Sequence, residues 1–204
     1  MEEFEKYLIV GLGNPGKAYE RTRHNVGFNI VQSLAEKYAF KFKHASHLIG
    51  DIAQVEICGK KGMLLLPTTF MNSSGDAVKR CVDDFKVPLD HLMIVCDDIA
   101  LPIGSMRIRS KGSSGGHNGL ESIKTHLHTE YYARLRIGIS SPEKEHLADY
   151  VLGKFSQEEI KMIEEMTVKA MDVLELWIAA GIAVAMQAAN AKKVDVKEEG
   201  EKNG

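Results

Sequence analysis

Residues 91–98 read H-L-M-I-V-C-D-D, an almost wholly apolar run that ends in two carboxylates. A strand covered by helices on both faces needs apolar side chains at successive positions, whereas a strand with one solvated face alternates apolar and polar residues. The run therefore predicts a buried strand of an α/β sheet, with Asp97 near its carboxyl end. Because the loops after such strands hold the ligands of open α/β sheets, Asp97 is also a first candidate for a functional residue.

Strand and helix patterns alternate on both sides of this run. Before it come an apolar strand, a helix on the 3.6-residue period, two strands joined by G-K-K-G as a hairpin loop, and a second helix. After it come an alternating strand, a glycine-rich loop leading into a helix, a second alternating strand and two terminal helices. In chain order, the predicted bounds are 7–12, 25–38, 48–57, 63–66, 76–85, 91–98, 105–111, 120–127, 134–139, 156–180 and 182–191.

The long helix near the end of the chain has a recognisable start and stop. Ser156 and Glu159 fit the S-x-x-E capping box, and Gly181 interrupts the amphipathic run. Since strands and helices interleave throughout, we expect a single α/β domain over residues 1–191, with a mixed, mostly parallel twisted sheet flanked by helices. The polar tail at 192–204 carries charges of both signs, and we expect it to be frayed.

The composition of the 204 residues is that of an ordinary globular protein, with 44% hydrophobic and 26% charged residues. These values exclude a disordered chain, a collagen-like chain or a disulfide scaffold. Lys plus Arg number 26 against 28 for Asp plus Glu, a net charge of -2. Any surface for nucleic acid must therefore be a local patch.

The cysteines and the N-terminus indicate the compartment. Cys58, Cys81 and Cys96 include no C-x-x-C pair, so we expect buried free thiols rather than disulfides or a thiolate zinc site. The start M-E-E-F-E-K is acidic, unlike a secretory signal, and no apolar run approaches the ~20 residues of a membrane span. We therefore expect a cytoplasmic protein with no membrane partner.

Polar residues collect in loops that follow four of the predicted strands, in the motifs G-L-G-N-P-G with H-N nearby, T-F-M-N, D-D and G-G-H-N-G. A histidine beside a carboxylate suits general-base catalysis, because the imidazole takes a proton from water while the carboxylate fixes its tautomer. His24 and Asp97 are the candidate pair, although taken singly His24 could simply close its loop and Asp97 end its strand. The full set of candidates is Asn14, His24, Asn72, Asp97, His117 and Asn118.

Two other kinds of site are weaker interpretations of these loops. The motif at 11–16 has the glycine spacing of a dinucleotide-binding turn, but Pro15 and the charged residues after it delay the helix that should hold a pyrophosphate. A metal site built from His24, Asp97 and His117 is conceivable, but these residues are scattered and lack an H-x-x-x-H or H-E-x-x-H pair. We expect neither a cofactor nor a metal.

A basic strand follows the acidic loop. Arg107, Arg109 and Lys111 alternate with other residues, which would place three cations on one face about 6.6 Å apart, close to the spacing of phosphates along a nucleic-acid strand. Arg134 and Arg136 repeat the alternation. Any half-solvated strand shows the same pattern, so these residues alone leave both RNA binding and plain solvation open.

Five motifs, in matching order and separation, resemble the bacterial-type peptidyl-tRNA hydrolase family: K-Y-L-I-V-G-L-G-N-P-G, Y-x-x-T-R-H-N-V-G, P-T-T-F-M-N-S-S-G, G-G-H-N-G-L and R-L-R-I-G-I. The resemblance covers about residues 6–190. It implies a single α/β domain, monomeric and metal-independent, that cleaves the ester between a peptide and the 3′ ribose of tRNA. The partner it implies is peptidyl-tRNA, bound by its acceptor arm and 3′ end.

The resemblance also implies roles for residues of this chain. His24 matches a general base that acts on a water, and Asp97 matches the aspartate that orients it. Asn14 matches a position associated with distinguishing an N-blocked aminoacyl group from a free one, and Asn72 matches one at the catalytic centre. Positions that line the cleft for the peptide and the terminal adenosine are matched by Tyr19, Phe70, Met71, His117 and Asn118. The candidates for contact with the acceptor arm are Arg107, Arg109, Lys111 and Arg136.

The chain departs from the family pattern at Ala100, where an acidic residue is frequent, and at Ser113 and Ser114, where glycines are frequent. These departures concern the rim of the cleft. The alternative from another class is a non-hydrolytic RNA-binding protein, since plastid splicing factors share this fold. Retention of His24, Asp97, Asn14 and Asn72 argues against it. A nicotinamide oxidoreductase is a more distant alternative.

Overall fold

A computed structural model of the chain describes residues 6–141 and 146–191, so the tail at 192–204, expected to be frayed, lies outside the described residues. The strands are β1 (Tyr7–Gly11), β2 (Lys43–Ala45), β3 (Gly50–Ile57), β4 (Lys60–Pro67), β5 (Leu92–Asp98), β6 (Met106–Arg109) and β7 (Ala133–Gly138). The α-helices are α1 (Val26–Lys37), α2 (Ser74–Phe85), α3 (Asn118–Leu127), α4 (Leu147–Leu152), α5 (Gln157–Ala180) and α6 (Ile182–Asn190).

The strands form one mixed sheet in the order β2-β3-β4-β1-β5-β7-β6. β1 pairs in parallel with β4 on one side and with β5 on the other, and β5 pairs in parallel with β7. The outer strands β2, β3 and β6 pair antiparallel with their neighbours. The predicted α/β fold is therefore confirmed, with the parallel pairs at the centre of the sheet and the antiparallel pairs toward its edges.

β5 is the buried strand that the apolar run predicted. All 7 of its residues are buried, because strands pair with both of its edges and helices cover both faces. Met93 and Val95 belong to the core on the side of α1 and α5, whereas Ile94 and Cys96 pack with α2 and α3. The two cores together fix the position of the carboxyl end of β5, and so of Asp97.

The glycines at the end of β1 pack this strand against α1. A Cβ at Gly11 would lie 2.5 Å from the carbonyl oxygen of Gly27, and one at Gly13 would lie 2.6 Å from the ring of Phe28. α1 begins only at Val26, well after the glycine-rich turn, so the turn does not place a helix N-terminus where a pyrophosphate would bind. These glycines therefore serve close packing of a strand on a helix.

The hairpin between β3 and β4 turns at Cys58 and Gly59, and the predicted G-K-K-G loop is wrong. Both residues have a positive φ, 52° and 72°, as a two-residue turn that follows the twist of its strands requires. Lys60 accordingly pairs with Ile57, and β4 continues through Gly62. The lysines that suggested a loop are strand residues next to the turn.

β7 is not the half-solvated strand that its alternation suggested. Arg134 is only 1% exposed, and its guanidinium donates hydrogen bonds to the backbone carbonyls of Gly112, Ser113 and Glu130. Burial of this group lowers its pKa. Carbonyl oxygens replace water around the cation, which is why a basic residue occupies a buried position.

The predicted start and end of the long helix are confirmed. The hydroxyl of Ser156 accepts the backbone N–H of Glu159 at 3.2 Å, and the Glu159 carboxylate accepts the N–H of Ser156 at 2.7 Å. Gly181, with φ 85°, separates α5 from α6. Trp177 on α5 is buried and packs edge-to-face on Tyr7, so the helix closes the core.

Two short elements were not predicted. β2 has 3 residues at the edge of the sheet, and α4 has 6 residues, none of them buried. Neither is long enough to carry the apolar period that identifies an element in a sequence. The strand expected from residue 48 also starts later, at Gly50, because 46–48 form a 3-10 turn.

The expectation of buried thiols is correct for Cys81 and Cys96 and wrong for Cys58, which is exposed in the hairpin turn. Burial raises the pKa of the Cys81 thiol to about 12 and raises that of Cys96 as well. The two core thiols are therefore protected from reagents in two ways: they are packed away from solvent, and their raised pKa leaves little of the reactive thiolate form.

Only Cys58 should react quickly with Ellman's reagent at mildly alkaline pH, because the other two thiols require unfolding before they ionise and meet the reagent. The measurement is the amplitude of thionitrobenzoate release before and after addition of guanidinium. Cys58→Ser is the matched control and should abolish the fast phase. A fast phase that persists in this variant would contradict the described core.

Candidate active site

The polar loops meet where β1, β4 and β5 end, at one edge of the sheet. The loop after β1 runs through a 3-10 turn into α1, and the loop after β4 runs through another into α2. The glycine-rich loop after β6 leads into α3. These segments bring together the predicted residues Asn14, His24, Asn72, Asp97, His117 and Asn118.

Asp97 lies between two imidazoles. Its Oδ1 is 2.8 Å from Nδ1 of His24 and 2.9 Å from Nε2 of His117. The exposed fractions of the three side chains are 3% for Asp97, 10% for His24 and 7% for His117. One carboxylate oxygen therefore holds both rings in a site that is nearly closed to bulk water.

The hydrogen bonds of His117 indicate which ring atoms carry protons. Its Nδ1 lies 3.1 Å and 3.3 Å from the backbone nitrogens of Gly119 and Leu120, at the start of α3. Because a backbone N–H only donates, Nδ1 of His117 accepts, and the proton of the neutral ring is on Nε2, facing Asp97. His24 faces the same carboxylate through Nδ1, so its proton is on Nδ1 and its Nε2 keeps a lone pair.

Asp97 is held in its ionised form. Burial would raise the pKa of this carboxyl, but the electrostatic attraction of the His117 ring and the hydrogen bonds from His117 and His24 outweigh burial and lower the pKa below its usual value. Nε2 of His24 has no hydrogen-bond partner among residues 6–141 and 146–191, and it is not sealed from solvent. The site thus combines an oriented imidazole with a free basic nitrogen.

Asn14 links two of the loops. Its backbone N–H donates to Oδ1 of Asn25 at 2.8 Å, and its backbone carbonyl accepts from Nδ2 of Asn25 at 2.9 Å. Its own side-chain oxygen accepts the backbone N–H of Met71 at 2.8 Å. The Nδ2 group of Asn14 forms no hydrogen bond with any described residue, so it is the part of this side chain that can bind a ligand.

The cleft around His24 has two connected parts. The first, of about 360 Å³, contains both imidazoles and extends to Arg136. The second, of about 220 Å³, runs from His24 past Asn72 to Asn14. Asn118 and α4 line both parts. The cleft is therefore continuous from a guanidinium at one end to an amide at the other.

Most residues predicted to line the cleft do so. The amides of Asn72 and Asn118 are exposed and form no hydrogen bond with the part of the chain that is described. Met71 is buried and Phe70 is 58% exposed, both in the wall of the cleft. Tyr19 packs edge-to-face on Phe70, with 6.1 Å between ring centroids, but is not itself among the residues that line the two parts.

The predicted basic residues fall into two groups. Arg107 and Arg109 are exposed on β6, and Lys111 follows them with its ammonium over an aromatic ring. These three residues lie outside the cleft. Arg136 lines it, and its Nε is 3.0 Å from Oδ2 of Asp98, so its charge is already paired.

Two contributors to the site were missed from the sequence. The amide of Asn25 builds the wall beside Asn14, and its position directly after His24 in the R-H-N motif was the available signal. α4 also contributes apolar side chains to the cleft. The sequence could not have predicted this helix, because six residues with no buried face show no helical period of apolar residues. Its lining residues are Leu147, Ala148, Val151 and Leu152.

His24, Asp97 and His117 are also the described residues that could hold a metal ion, since their ligand atoms lie within 4.8 Å of one another. The nitrogens that face Asp97 carry the protons of two hydrogen bonds, which a metal would have to displace. The arrangement suits proton transfer better than metal binding, and a metal-free site stays a prediction.

Comparison with known proteins gives one consistent answer. A sequence model of the family described as peptidyl-tRNA hydrolase matches residues 8–197. A peptidyl-tRNA hydrolase of Thermoanaerobacter sp. (strain X514) is 47% identical over 187 residues, covering 90% of this chain and 99% of that protein. One from Thermosynechococcus vestitus is 40% identical over 194 residues, 92% of this chain and 95% of the relative.

A solved structure has the same fold. The crystal structure of peptidyl-tRNA hydrolase from Acinetobacter baumannii is 34% identical in sequence and superposes with a TM-score of 0.88, covering 94% of this chain and 97% of that one. The likeness therefore extends over nearly the whole length of both chains.

Asn14→Ala should lower the free energy of unfolding by about 1–3 kcal/mol, because it leaves the backbone N–H of the buried Met71 without an acceptor. Urea unfolding is the measurement. Asn72→Ala is the matched control, since that exposed amide has no described partner, and its effect should stay within about 0.5 kcal/mol. Equal effects of the two substitutions would contradict the linking role of Asn14.

Proposed function

Since the chain belongs to the peptidyl-tRNA hydrolase family, we propose that it hydrolyses the ester between a peptide and the 3′ ribose of tRNA in the cleft around His24. The observation that carries the assignment of the site is the buried hydrogen bond between Nδ1 of His24 and Asp97, which leaves the other ring nitrogen free at the cleft. The reaction consumes one water and releases a peptide with a free carboxylate and a tRNA with a free 3′ hydroxyl.

His24 acts as the general base. Its Nε2 accepts a proton from a water as the water oxygen attacks the ester carbonyl, and the imidazolium that forms is stabilised by the Asp97 carboxylate. The same proton can then pass to the ribose oxygen as the ester bond breaks. Positioned base catalysis contributes about 10²- to 10⁴-fold, so the rest of the acceleration comes from positioning and from donors that face the developing oxyanion.

Asn72 and Asn118 are the donors that we assign to the oxyanion. Both side chains are exposed to the cleft, and neither amide is used within the described protein. The N-terminus of α3 is not available for this purpose at Gly119 and Leu120, because the N–H groups of these residues already bind Nδ1 of His117. Side-chain amides therefore replace a helix N-terminus as the source of donors.

Asn14 recognises the N-blocked group through its free Nδ2 donor. Because its oxygen is occupied by Met71, the side chain offers a ligand hydrogen-bond donors only. An acylated α-nitrogen brings a carbonyl that can accept such a bond, whereas a free α-ammonium brings only donors and a positive charge. This difference would favour peptidyl-tRNA over aminoacyl-tRNA.

The acceptor arm binds along β6. Arg107 and Arg109 are exposed there and Lys111 follows, while Arg136 lies between this strand and the catalytic residues. Phosphates of the acceptor arm would pair with the exposed cations Arg107, Arg109 and Lys111, and such pairs depend on salt because binding releases counterions. The buried Arg134 takes no part.

We also propose that the protein acts in the cytoplasm, as a monomer and without a metal. No helix within the described ranges is long and apolar enough to cross a membrane. The relatives and the solved structure named above are all hydrolases, and none of them favours a non-hydrolytic RNA-binding protein.

His24→Ala should lower kcat by roughly 10²- to 10⁴-fold with little loss of tRNA binding, because it removes the base and leaves the basic strand intact. Release of N-acetyl-amino acid from N-acetyl-aminoacyl-tRNA measures the rate. The matched control is His47→Ala, a surface histidine 3.9 Å from the carboxylate of Asp84, which should retain normal turnover. Single-turnover cleavage by His24→Ala at the normal rate would defeat the assignment.

Arg109→Ala should raise KM and reduce the slope of log KM against log salt concentration by about one unit, because one phosphate contact is lost. Steady-state hydrolysis over a salt series is the measurement. Arg80→Ala is the control, since this exposed arginine pairs with Asp76 on α2. If Arg109→Ala and Arg80→Ala give the same slope, the basic strand is not the RNA-binding face.

A further inference from the structure

A third hollow, of about 380 Å³, lies beyond Asn14 at the carboxyl ends of β1 and β4. We call it the β1–β4 pocket. Asn14 lines both this pocket and the catalytic cleft, so the two are neighbours across one side chain. α1 and α2, which follow these strands, pack into different cores on opposite faces of the sheet. The pocket is thus a crevice at a topological switch point, where open α/β sheets bind ligands.

The lining of the β1–β4 pocket suits a peptide. Asn29 and Gln32 on α1 present amides that form no hydrogen bond with any described residue, and the apolar residues Phe28, Leu66 and Pro67 also line the pocket. Amides both donate and accept, so they can pair with the N–H and C=O groups of a main chain. The three apolar residues offer contact area for its side chains.

The charges at the pocket disfavour RNA. Two carboxylates, Glu20 and Asp51, line it together with one guanidinium, that of Arg21. A phosphate backbone would meet a net negative surface there. A neutral peptide chain meets no such repulsion.

The order of the strands separates the two ends of the substrate. The exposed arginines lie on β6, at one edge of the sheet, and Arg136 ends the cleft on that side. Asp97 and the imidazoles lie at β5, and the β1–β4 pocket lies on the far side of β1. A substrate with its RNA on β6 and its ester at His24 would therefore extend its acyl chain toward this pocket.

We propose that the β1–β4 pocket binds the peptide residues that precede the esterified one, with Asn29 and Gln32 as hydrogen-bonding groups. This inference rests on the proposed hydrolysis of peptidyl-tRNA at His24. An extended chain gains about 3.3–3.6 Å for each residue, so a single N-acetylated amino acid would end near Asn14, whereas a longer peptide would enter the pocket. The pocket then favours peptidyl-tRNA with a chain of several residues.

The test compares two substrates and two variants. One tRNA carries a single N-acetylated amino acid, and the other carries an N-acetylated peptide of several residues that ends in the same amino acid. The double variant Asn29→Ala, Gln32→Ala removes the free amides from the surface of α1. Gln187→Ala, an exposed glutamine on α6 outside the pocket, is the matched control.

The proposal expects kcat/KM of the unmodified protein to be higher for the longer substrate. The double variant should reduce the ratio of the long to the short substrate by roughly 3- to 10-fold for each hydrogen bond lost, and Gln187→Ala should keep the ratio. An unchanged ratio in the double variant would overturn the proposal. So would an equal rise of KM for both substrates with weaker inhibition by deacylated tRNA, because RNA would then occupy the pocket.

The proposed function fails in a different way. If the unmodified protein cleaves neither substrate, hydrolysis itself is wrong, and the peptide pocket is wrong with it. If it cleaves both substrates equally well, hydrolysis stands and only the pocket is wrong.

Discussion

One carboxylate oxygen, Oδ1 of Asp97, accepts hydrogen bonds from two imidazoles, and the chemistry of the cleft depends on it. A buried charge without partners is costly, so the two N–H groups are what allow a carboxylate to remain ionised at the end of a buried strand. In return the carboxylate fixes the tautomer and the orientation of both rings. Without this carboxylate, nothing would favour the tautomer of His24 that leaves Nε2 unprotonated at the cleft.

The surrounding structure supports this oxygen from several directions. β5 places Asp97 between two cores, and the first N–H groups of α3 hold the far nitrogen of His117. Two hydrogen bonds between Asn14 and Asn25 stabilise the loop that carries His24. The side chain of Asn14 also accepts a hydrogen bond from Met71 and so holds the loop after β4. Most polar groups near the reacting centre are thus used inside the protein. Among the described residues, Nε2 of His24, Nδ2 of Asn14 and the amides of Asn72 and Asn118 form no hydrogen bond, so we assign these groups to the substrate.

The fold could be predicted from the sequence wherever an element was long enough to show a pattern of apolar residues or carried a recognisable cap. The apolar run of β5, the apolar face of α1 and the capping box of α5 each record a local rule, and each prediction is confirmed. β2 and α4 are too short to show a period in the sequence. The hairpin turn was predicted at the wrong residues because Cys58 adopts a positive φ, which a cysteine side chain does not favour. Arg134 shows a different limit, since only the fold brings the backbone carbonyls of Gly112, Ser113 and Glu130 to a buried guanidinium.

The sequence predicted which residues form the site better than it predicted the hydrogen bonds among them. Motifs placed His24, Asp97, Asn14 and Asn72 in neighbouring loops, because loops that follow adjacent parallel strands end at one edge of the sheet. The link from His117 to Asp97, and the use of the Asn14 oxygen by Met71, depend on side-chain positions that no spacing specifies. Only the structure shows which polar atoms are already occupied.

The most direct test of the central claim is a histidine ¹⁵N NMR spectrum of the intact protein at neutral pH, with the two rings assigned through His24→Asn and His117→Asn. The account predicts opposite tautomers, with the proton on Nδ1 of His24 and on Nε2 of His117. A proton on Nε2 of His24, with Nδ1 bare, would mean that Asp97 does not set the base, and the mechanism would have to be abandoned.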